Sequence, residues 1–329
     1  MGLRGYIIKR VIYTLILIIG VVALNFFIFN AMPGNPLDAY LQKARSTGMS
    51  QQQFNALKAA YGIGLPWYQK FPSYMISMLT FNFGYTDPAF GSVAVSQIIL
   101  DRLINTILLI GSADILAVIA GVLLGAYAAH ERGKLFDSVA IITSLATFSL
   151  PTFWMALVFQ AILGFGLGWL PIQGWKTLPP VGGGPIPYWL DRIHYLILPS
   201  LVLFLFTYGG FLLLTRACVL ETMTEDYVLT ARAKGVKERT VLFKHILKNA
   251  SLPIITNIAL QFGFMLSGAI ITERVFQYAG LGTLIYQSIT QTEVPVMQGI
   301  FYIIALCVIF ANFVADLLYG LLDPRVRYG

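Results

Sequence analysis

The sequence predicts an all-α membrane protein with six transmembrane helices, and three observations carry that prediction. Hydrophobic residues make up 57% of the 329, charged residues only 11%, and mean hydropathy is +0.74, far outside the range of a soluble domain of this length. The apolar residues fall into runs of about 20 or more, the length a helix needs to cross a bilayer. The 22 basic residues gather at the ends of those runs, which argues against a nucleic-acid-binding face and for membrane topology.

In chain order, Ile7 to Met32 is the first span, preceded by Arg4, Lys9 and Arg10 and stopped by Pro33-Gly34-Asn35-Pro36. It lacks a small-residue cleavage site and is read as a retained helix. Residues 37–100 form an external cap segment. There, Ser50 with Gln53 makes a capping box for a helix with Phe54, Leu57 and Tyr61 on one face and Gly62 at its end. A second piece with Trp67, Tyr68, Phe71 and Tyr74 suits the membrane interface.

Residues 101–322 carry the other five spans. Ile104 to Ala129 holds Gly121 and Gly125 at small-xxx-small spacing, which lets helix backbones approach closely. Phe136 to Leu163 contains Pro151, either a packing kink or a hinge. Trp169 to Pro187 reads as a loop, followed by a short interfacial helix with Trp189 and Tyr195. The fourth span runs from about Leu196 to Cys218, the fifth from Leu252 to Ile271 and the sixth from Gly299 to Leu322, leaving a tail at 323–329.

Between the fourth and fifth spans, residues 216–253 form the largest polar island of the second half. Tyr227 to Lys234 reads as a helix, Gly235 as its break, and Lys237 to Lys248 as a second helix ending before Pro253. So short a loop cannot build its own core, so Met223, Tyr227, Val228, Val241, Leu242 and Ile246 need another surface to cover them. The pattern therefore predicts a docking element for a soluble partner.

Lys and Arg number fourteen on the amino terminus, the His130 turn, the 216–253 loop and the tail, against three on the opposite short loops. The positive-inside rule thus places both termini and the docking loop in the cytoplasm of a multi-pass cell-membrane protein. Two cysteines, Cys218 and Cys307, build neither a disulfide framework nor a metal site. No Gly-x-Ser-x-Gly or His-Glu-x-x-His pattern occurs, and Gly133-Lys134 lacks the rest of a nucleotide-binding loop. The chain is read as no enzyme and as binding no cofactor of its own.

The segment Asp226-Tyr227-Val228-Leu229-Thr230-Ala231-Arg232-Ala233-Lys234-Gly235 resembles the signature loop of permease subunits of binding-protein-dependent ABC importers, in its peptide-transporter version. Arg10 and Pro33-Gly34-Asn35-Pro36, the run from Tyr61 to Pro66, Phe81 to Tyr85, Asp101-Arg102 with Thr106, Ser149 to Trp154 and Trp169 to Pro171 are similar to the first of the paired dipeptide and oligopeptide permeases. His194 to Pro199, Gly268 to Glu273, Gly280-Leu281-Gly282, Glu293 to Pro295 and Asp323 to Arg327 continue the likeness over essentially the whole chain. Departures are Asn35, Asn82 and Glu293 where the family usually has aspartate, and Leu229-Thr230 where the broader family has a glutamate.

The resemblance implies the type I ABC importer permease fold, a second related permease, an extracytoplasmic binding protein, and two cytoplasmic ATPase subunits that hold the ATP and magnesium. It implies that Tyr227, Thr230, Ala231, Arg232, Ala233, Lys234 and Gly235 couple to an ATPase groove. Tyr227, Ala231 and Val236 would give apolar contact, and Arg232, Lys234, Lys237 and Arg239 would meet acidic rims. The solute would be a di- or oligopeptide, with a short oligosaccharide as the alternative.

Two ionisable groups lie deep in apolar runs, Asp114 and Asp316, at a cost of about 2.5–3.5 kcal/mol each on insertion scales. Asn312, Asp316 and Tyr319 share a helical stripe that suits hydrogen bonding to a neighbouring helix. Asp114, Gln261, Met265 and Ser267 are candidates for the translocation path. A relay through Asp114 and Asp316 would instead suit an ion-coupled secondary transporter.

Overall fold

A computed structural model describes residues 3–31, 45–46, 51–52, 55, 65–86, 93–179, 182, 184–264 and 269–322. The capping-box helix expected around Ser50 and the tail at 323–329 lie outside the described residues. The elements are α1 (Leu3–Ala31), α2 (Trp67–Leu79), α3 (Val95–His130), α4 (Leu135–Ser149), α5 (Thr152–Phe159), α6 (Pro185–Thr222), α7 (Asp226–Ala233), α8 (Glu238–Thr240), α9 (Leu247–Phe264), α10 (Ile270–Val275), α11 (Leu281–Thr290) and α12 (Val294–Leu322). Two π-helical stretches, Gln160–Gly166 and Val241–Ile246, follow α5 and α8.

Among the described residues, α1, α3, α6 and α12 are long and apolar enough to cross a bilayer, and the pair α4 and α5 makes a fifth, broken span. The 18 residues of α9 rise about 27 Å at 1.5 Å each, but α9 is not among the helices apolar enough to count as a span, so the described residues show up to five of the six expected. Most of the apolar surface of α1 points outward, including Ile8, Ile12, Leu15, Ile16 and Ile19. In a chain this apolar, such a surface faces lipid or other membrane helices.

The centre of the bundle is the α3–α6 pair, the most extensive helix contact in the chain. Sequence spacing explains it. A methyl group on Gly121 would meet the Phe211 Cβ at 2.5 Å, and one on Gly125 would meet the Leu212 carbonyl at 2.5 Å, so only glycine lets the backbones come this close. On the other side of α6, Gly209 admits Ser144 of α4 in the same way. Ala117, Ala128, Tyr208, Phe211 and Leu212 fill the seam.

Three expectations about spans change. Pro151 does more than kink the third span: α4 and the Thr152–Gly166 segment meet at 101°. Proline removes a backbone donor, and Leu150 ahead of it is extended, with ψ 135°. The short interfacial helix with Trp189 and Tyr195 is not separate from the fourth span. Both belong to the 38-residue α6, which passes through Pro199. The second helix of the polar island does not stop before Pro253 either, because the π-helical turn at Val241–Ile246 leads directly into α9, which contains that proline.

Two apolar clusters mark the ends of the bundle. At one end, Val22, Phe83, Val95, Ile99, Leu281, Leu284 and Ile300 tie α1, α3, α11 and α12 together. Phe71 of α2 lies 5.2 Å from Phe26 and 6.3 Å from Phe27, centroid to centroid, which seats the aromatic cap helix on α1. At the other end, Ala126, Ala129, Val219, Val228, Val241 and Ile246 join α3, α6 and α7 to the turn that follows. The start of α1 and the end of α12 also lie there, pinned by an Arg10–Asp316 ion pair of 2.7 Å.

Candidate functional site

At that second end, α7, Gly235 and α8 form a small folded unit. Asp226 stands in the first turn of α7 and Arg232 in the last, both favourable to the helix dipole. The helix ends in a Schellman motif: the Val236 amide donates to the Ala231 carbonyl at 3.3 Å and the Gly235 amide to the Arg232 carbonyl at 2.9 Å. Gly235 has φ +74°, with open space where a Cβ would stand. Glycine is required there by backbone conformation, and not by crowding. Arg232 then grips Glu238 through both carboxylate oxygens, at 2.9 and 3.3 Å, and closes the elbow.

The unit has two faces. Val228, Ala231, Val241, Leu242 and Ile246 are buried, with Met223 and Val236 packed against them. Their cover is the ends of α3 and α6, so the surface expected from outside is provided by the chain itself for Met223, Val228, Val241, Leu242 and Ile246, and not for Tyr227. Ala231 is 8% exposed and faces this core, while Tyr227 and Leu229 are 39% and 57% exposed. Thr230, Ala233, Lys234, Gly235, Lys237 and Arg239 also face outward. Arg232 is engaged by Glu238 in its own chain, which leaves Lys234, Lys237 and Arg239 as the outward cations of the elbow.

The unit is braced laterally by Asp137 at the start of α4. Its carboxylate receives Arg216 Nε at 2.6 Å, Arg216 Nη2 at 2.8 Å and the Gly133 amide at 2.9 Å. Asp137 is buried, so the turn after α3, the start of α4 and the last part of α6 are locked together.

Within the membrane region, Asp114 of α3 and Gln261 of α9 line one cavity of ≈ 500 Å³, together with Thr152, Phe206, Thr207 and Thr272. The Gln261 amide stands beside the Asp114 carboxylate at the wall of this cavity. Asp114 is 2% exposed, and its Oδ2 has no hydrogen-bond partner among the described residues. Met265 and Ser267 lie outside the described residues. Asp316 belongs to a different setting: besides its ion pair with Arg10, its backbone carbonyl accepts from the Tyr6 hydroxyl at 2.9 Å. Asn312 is exposed, and the side chain of Tyr319 is outside the described residues. Of the expected stripe on α12, Asp316 alone is seen to bond across to a neighbour, and it joins α12 to α1.

A third polar cluster, at the opposite end, was not singled out as a site by sequence reasoning. Glu273 of α10, 0% exposed, accepts the Thr106 hydroxyl at 2.7 Å and the Thr283 amide at 3.0 Å. The Leu281 amide donates to Thr106 Oγ1 at 2.8 Å. The Glu273 carboxylate occupies the space a side chain on Gly280 or Gly282 would need. Burial pushes the Glu273 carboxyl up from its ordinary value, opposed by the Thr106 hydroxyl, the Thr283 and Gly282 amides and the Arg102 charge. Beside it, Asn105 Nδ2 donates to the Ala279 carbonyl at 2.7 Å and its Oδ1 accepts from Arg192. Arg192 lies over the rings of Trp175, Tyr188 and Trp189. Thr106, Glu273, Gly280 and Gly282 do appear among the motifs quoted above; their mutual contact could not be read from positions so far apart in the chain.

Comparison with known proteins matches residues 121–328 to the family described as binding-protein-dependent transport system inner membrane component. The chain is similar to the oligopeptide transport system permease protein AppB of Bacillus subtilis, 34% identical over 326 residues covering 99% of this chain and 100% of that protein. It is similar to the di/tripeptide transport system permease protein DppB of Pseudomonas aeruginosa, 34% identical with 94% of each chain covered. The dipeptide transport system permease protein DppB of Escherichia coli K12 is 30% identical with 98% of each chain covered.

Proposed function

The chain belongs to the family of binding-protein-dependent transport system inner membrane components, and on that premise we propose that it is the permease subunit of an ATP-driven importer of dipeptides and oligopeptides. It forms half of the solute path with a second, related permease. An external binding protein delivers the solute, and two cytoplasmic ATPase subunits hold the ATP and magnesium. The chain itself hydrolyses nothing. Both termini and the α7–Gly235–α8 unit face the cytoplasm.

The observation that carries the coupling role is the division of α7 into two faces. Its inner face is fused to the ends of α3 and α6, so a push on the unit moves two membrane helices together. Its outer face offers Tyr227, Leu229, Thr230, Ala233 and Lys234, an apolar and basic surface suited to a groove with acidic rims. Ala231 supports this surface from beneath, and Arg232 holds its elbow closed. Closure of the ATPase pair on ATP would then lever the bundle between inward-open and outward-open states.

The test is uptake by the chain reconstituted in liposomes with its second permease, ATPases and binding protein. Labelled di- to pentapeptides and short oligosaccharides compete, with and without ATP. ATP-dependent peptide uptake is the expected result. Sugar uptake would keep the mechanism and replace the solute, and uptake that ignores ATP but follows an ion gradient would overturn the proposal. In the same liposomes Gly235→Pro should leave the protein inserted while abolishing solute-stimulated ATP hydrolysis, because proline cannot adopt φ +74°.

A further inference from the structure

Of the buried carboxylates among the described residues, Asp137 and Glu273 are enclosed by donors and Glu293 also has an interaction partner. Asp114 is the exception. One amide, from Gln261, stands beside it, and Oδ2 has no partner among the described residues. A buried carboxylate left in this condition is destabilising for the protein that keeps it, which asks for a compensating use.

Its surroundings indicate the use. Among the described residues, the ≈ 500 Å³ cavity it lines has no Lys or Arg in its wall, and its other polar lining is Thr152, Thr207, Gln261 and Thr272. Phe206 lines this cavity and also the adjoining one of ≈ 120 Å³, where it stacks on Phe148 with ring centroids 5.8 Å apart. Thr207 and Gln261 are shared by both cavities as well. A carboxylate short of donors, hydroxyl acceptors and an aromatic face together favour an organic cation, through hydrogen bonding and cation–π contact. The volume is within the range of small-molecule sites.

We propose that Asp114, with Gln261 and Phe206, forms an acceptor station in the solute path for the ammonium group of a passing solute, such as the free amino terminus of a peptide. The station rests on the reading of the chain as a peptide permease and adds the chemical feature the membrane path selects. In the conformation described the carboxylate is nearly closed off, so the station engages as the bundle opens. Gln261 is a positioning residue that holds the carboxylate toward the cavity.

The experiment uses the complete transporter in liposomes, with saturating binding protein and labelled tri-alanine. Wild type, Asp114→Asn and Asp114→Glu are compared for uptake turnover, thermal midpoint and ATP hydrolysis without solute. The expected result is at least a tenfold loss of uptake in Asp114→Asn, partial recovery in Asp114→Glu, a thermal midpoint equal to or above wild type, and solute-free hydrolysis within twofold. Wild-type uptake by Asp114→Asn overturns the station, as does a loss of uptake that tracks a fall in the thermal midpoint. Repeating uptake with sodium replaced by choline separates the ion source: a sodium requirement that disappears in Asp114→Asn assigns the carboxylate to an inorganic cation and overturns the proposal. Failure of the wild-type complex to import tri-alanine at all refutes the peptide reading itself, a distinct outcome.

Discussion

Glu273 and Asp114 are both buried carboxylates on helices that meet α3 or belong to it, and they differ in how completely their oxygens are used. Glu273 is surrounded by a hydroxyl, backbone amides and two glycines with no room to spare. Asp114 has one amide and a cavity. A saturated carboxylate cross-links α3, α10 and α11 and is structural. A half-used one at the wall of a cavity becomes available only as the bundle opens around it. Burial alone does not distinguish the two; the inventory of donors does.

The largest effect should come from breaking the saturated side of this comparison. Glu273→Ala strands the Thr106 hydroxyl and the Thr283 amide. Two hydrogen bonds to a carboxylate at roughly 1.5–3 kcal/mol each predict a loss of about 3–6 kcal/mol. Thermal unfolding of the detergent-solubilised protein should show a large drop in midpoint, and a midpoint within a degree of wild type would refute the structural role.

A second saturated carboxylate extends the test to the other end of the bundle. Asp137→Ala leaves Arg216 and the Gly133 amide without their acceptor. The loss should be about 2 kcal/mol, below that of a fully buried pair because the Arg216 side chain is 21% exposed. Denaturation of the same preparation measures it, and equal losses at Asp137 and Glu273 would contradict the ranking by enclosure.

Gly235→Ala probes backbone geometry in place of charge. The new methyl meets open space, so only the left-handed φ opposes it, for about 1 kcal/mol. Coupled ATP hydrolysis should fall by a small factor, in contrast to its abolition in Gly235→Pro. Equal damage from both variants would show that the elbow needs the absence of a side chain and not the turn. The smallest stability effect is expected on the half-used side: Asp114→Asn keeps the shape and removes a buried charge, so the thermal midpoint should stay or rise. A fall of several degrees would place Asp114 with Glu273 as a structural group.

Most of the helical layout was legible because membrane spans are written as long apolar runs, and the Gly121–Gly125 spacing announced a close helix contact without saying that α6 would make it. The elbow at Gly235 was equally plain, since glycine between two polar helical stretches has few other uses. Which face of α7 pointed inward was less accessible. Ala231 and Tyr227 are both compatible with a docking surface in one dimension, and only the packing of Val228 and Ala231 against Val219 and Ile246 assigns them. The Thr106–Glu273 contact was hidden because its members are separated by 167 positions. The break at Pro151 was visible, but its angle was not, because proline removes one hydrogen bond without stating where the chain must go next.

That break bears on how the protein is made. Residues 135–166 leave the ribosome as one apolar stretch with nothing yet to bend against. The bent arrangement is held in part by Gln160, whose amide donates to the carbonyls of Ile172 at 2.8 Å and Val275 at 3.3 Å, and Val275 is synthesised more than a hundred residues later. One of the two bonds that hold Gln160 can therefore form only after Val275 has been made. Cysteine accessibility along residues 152–166 should differ between nascent chains stopped before and after residue 275, and identical patterns would show that the bend forms without its later partner.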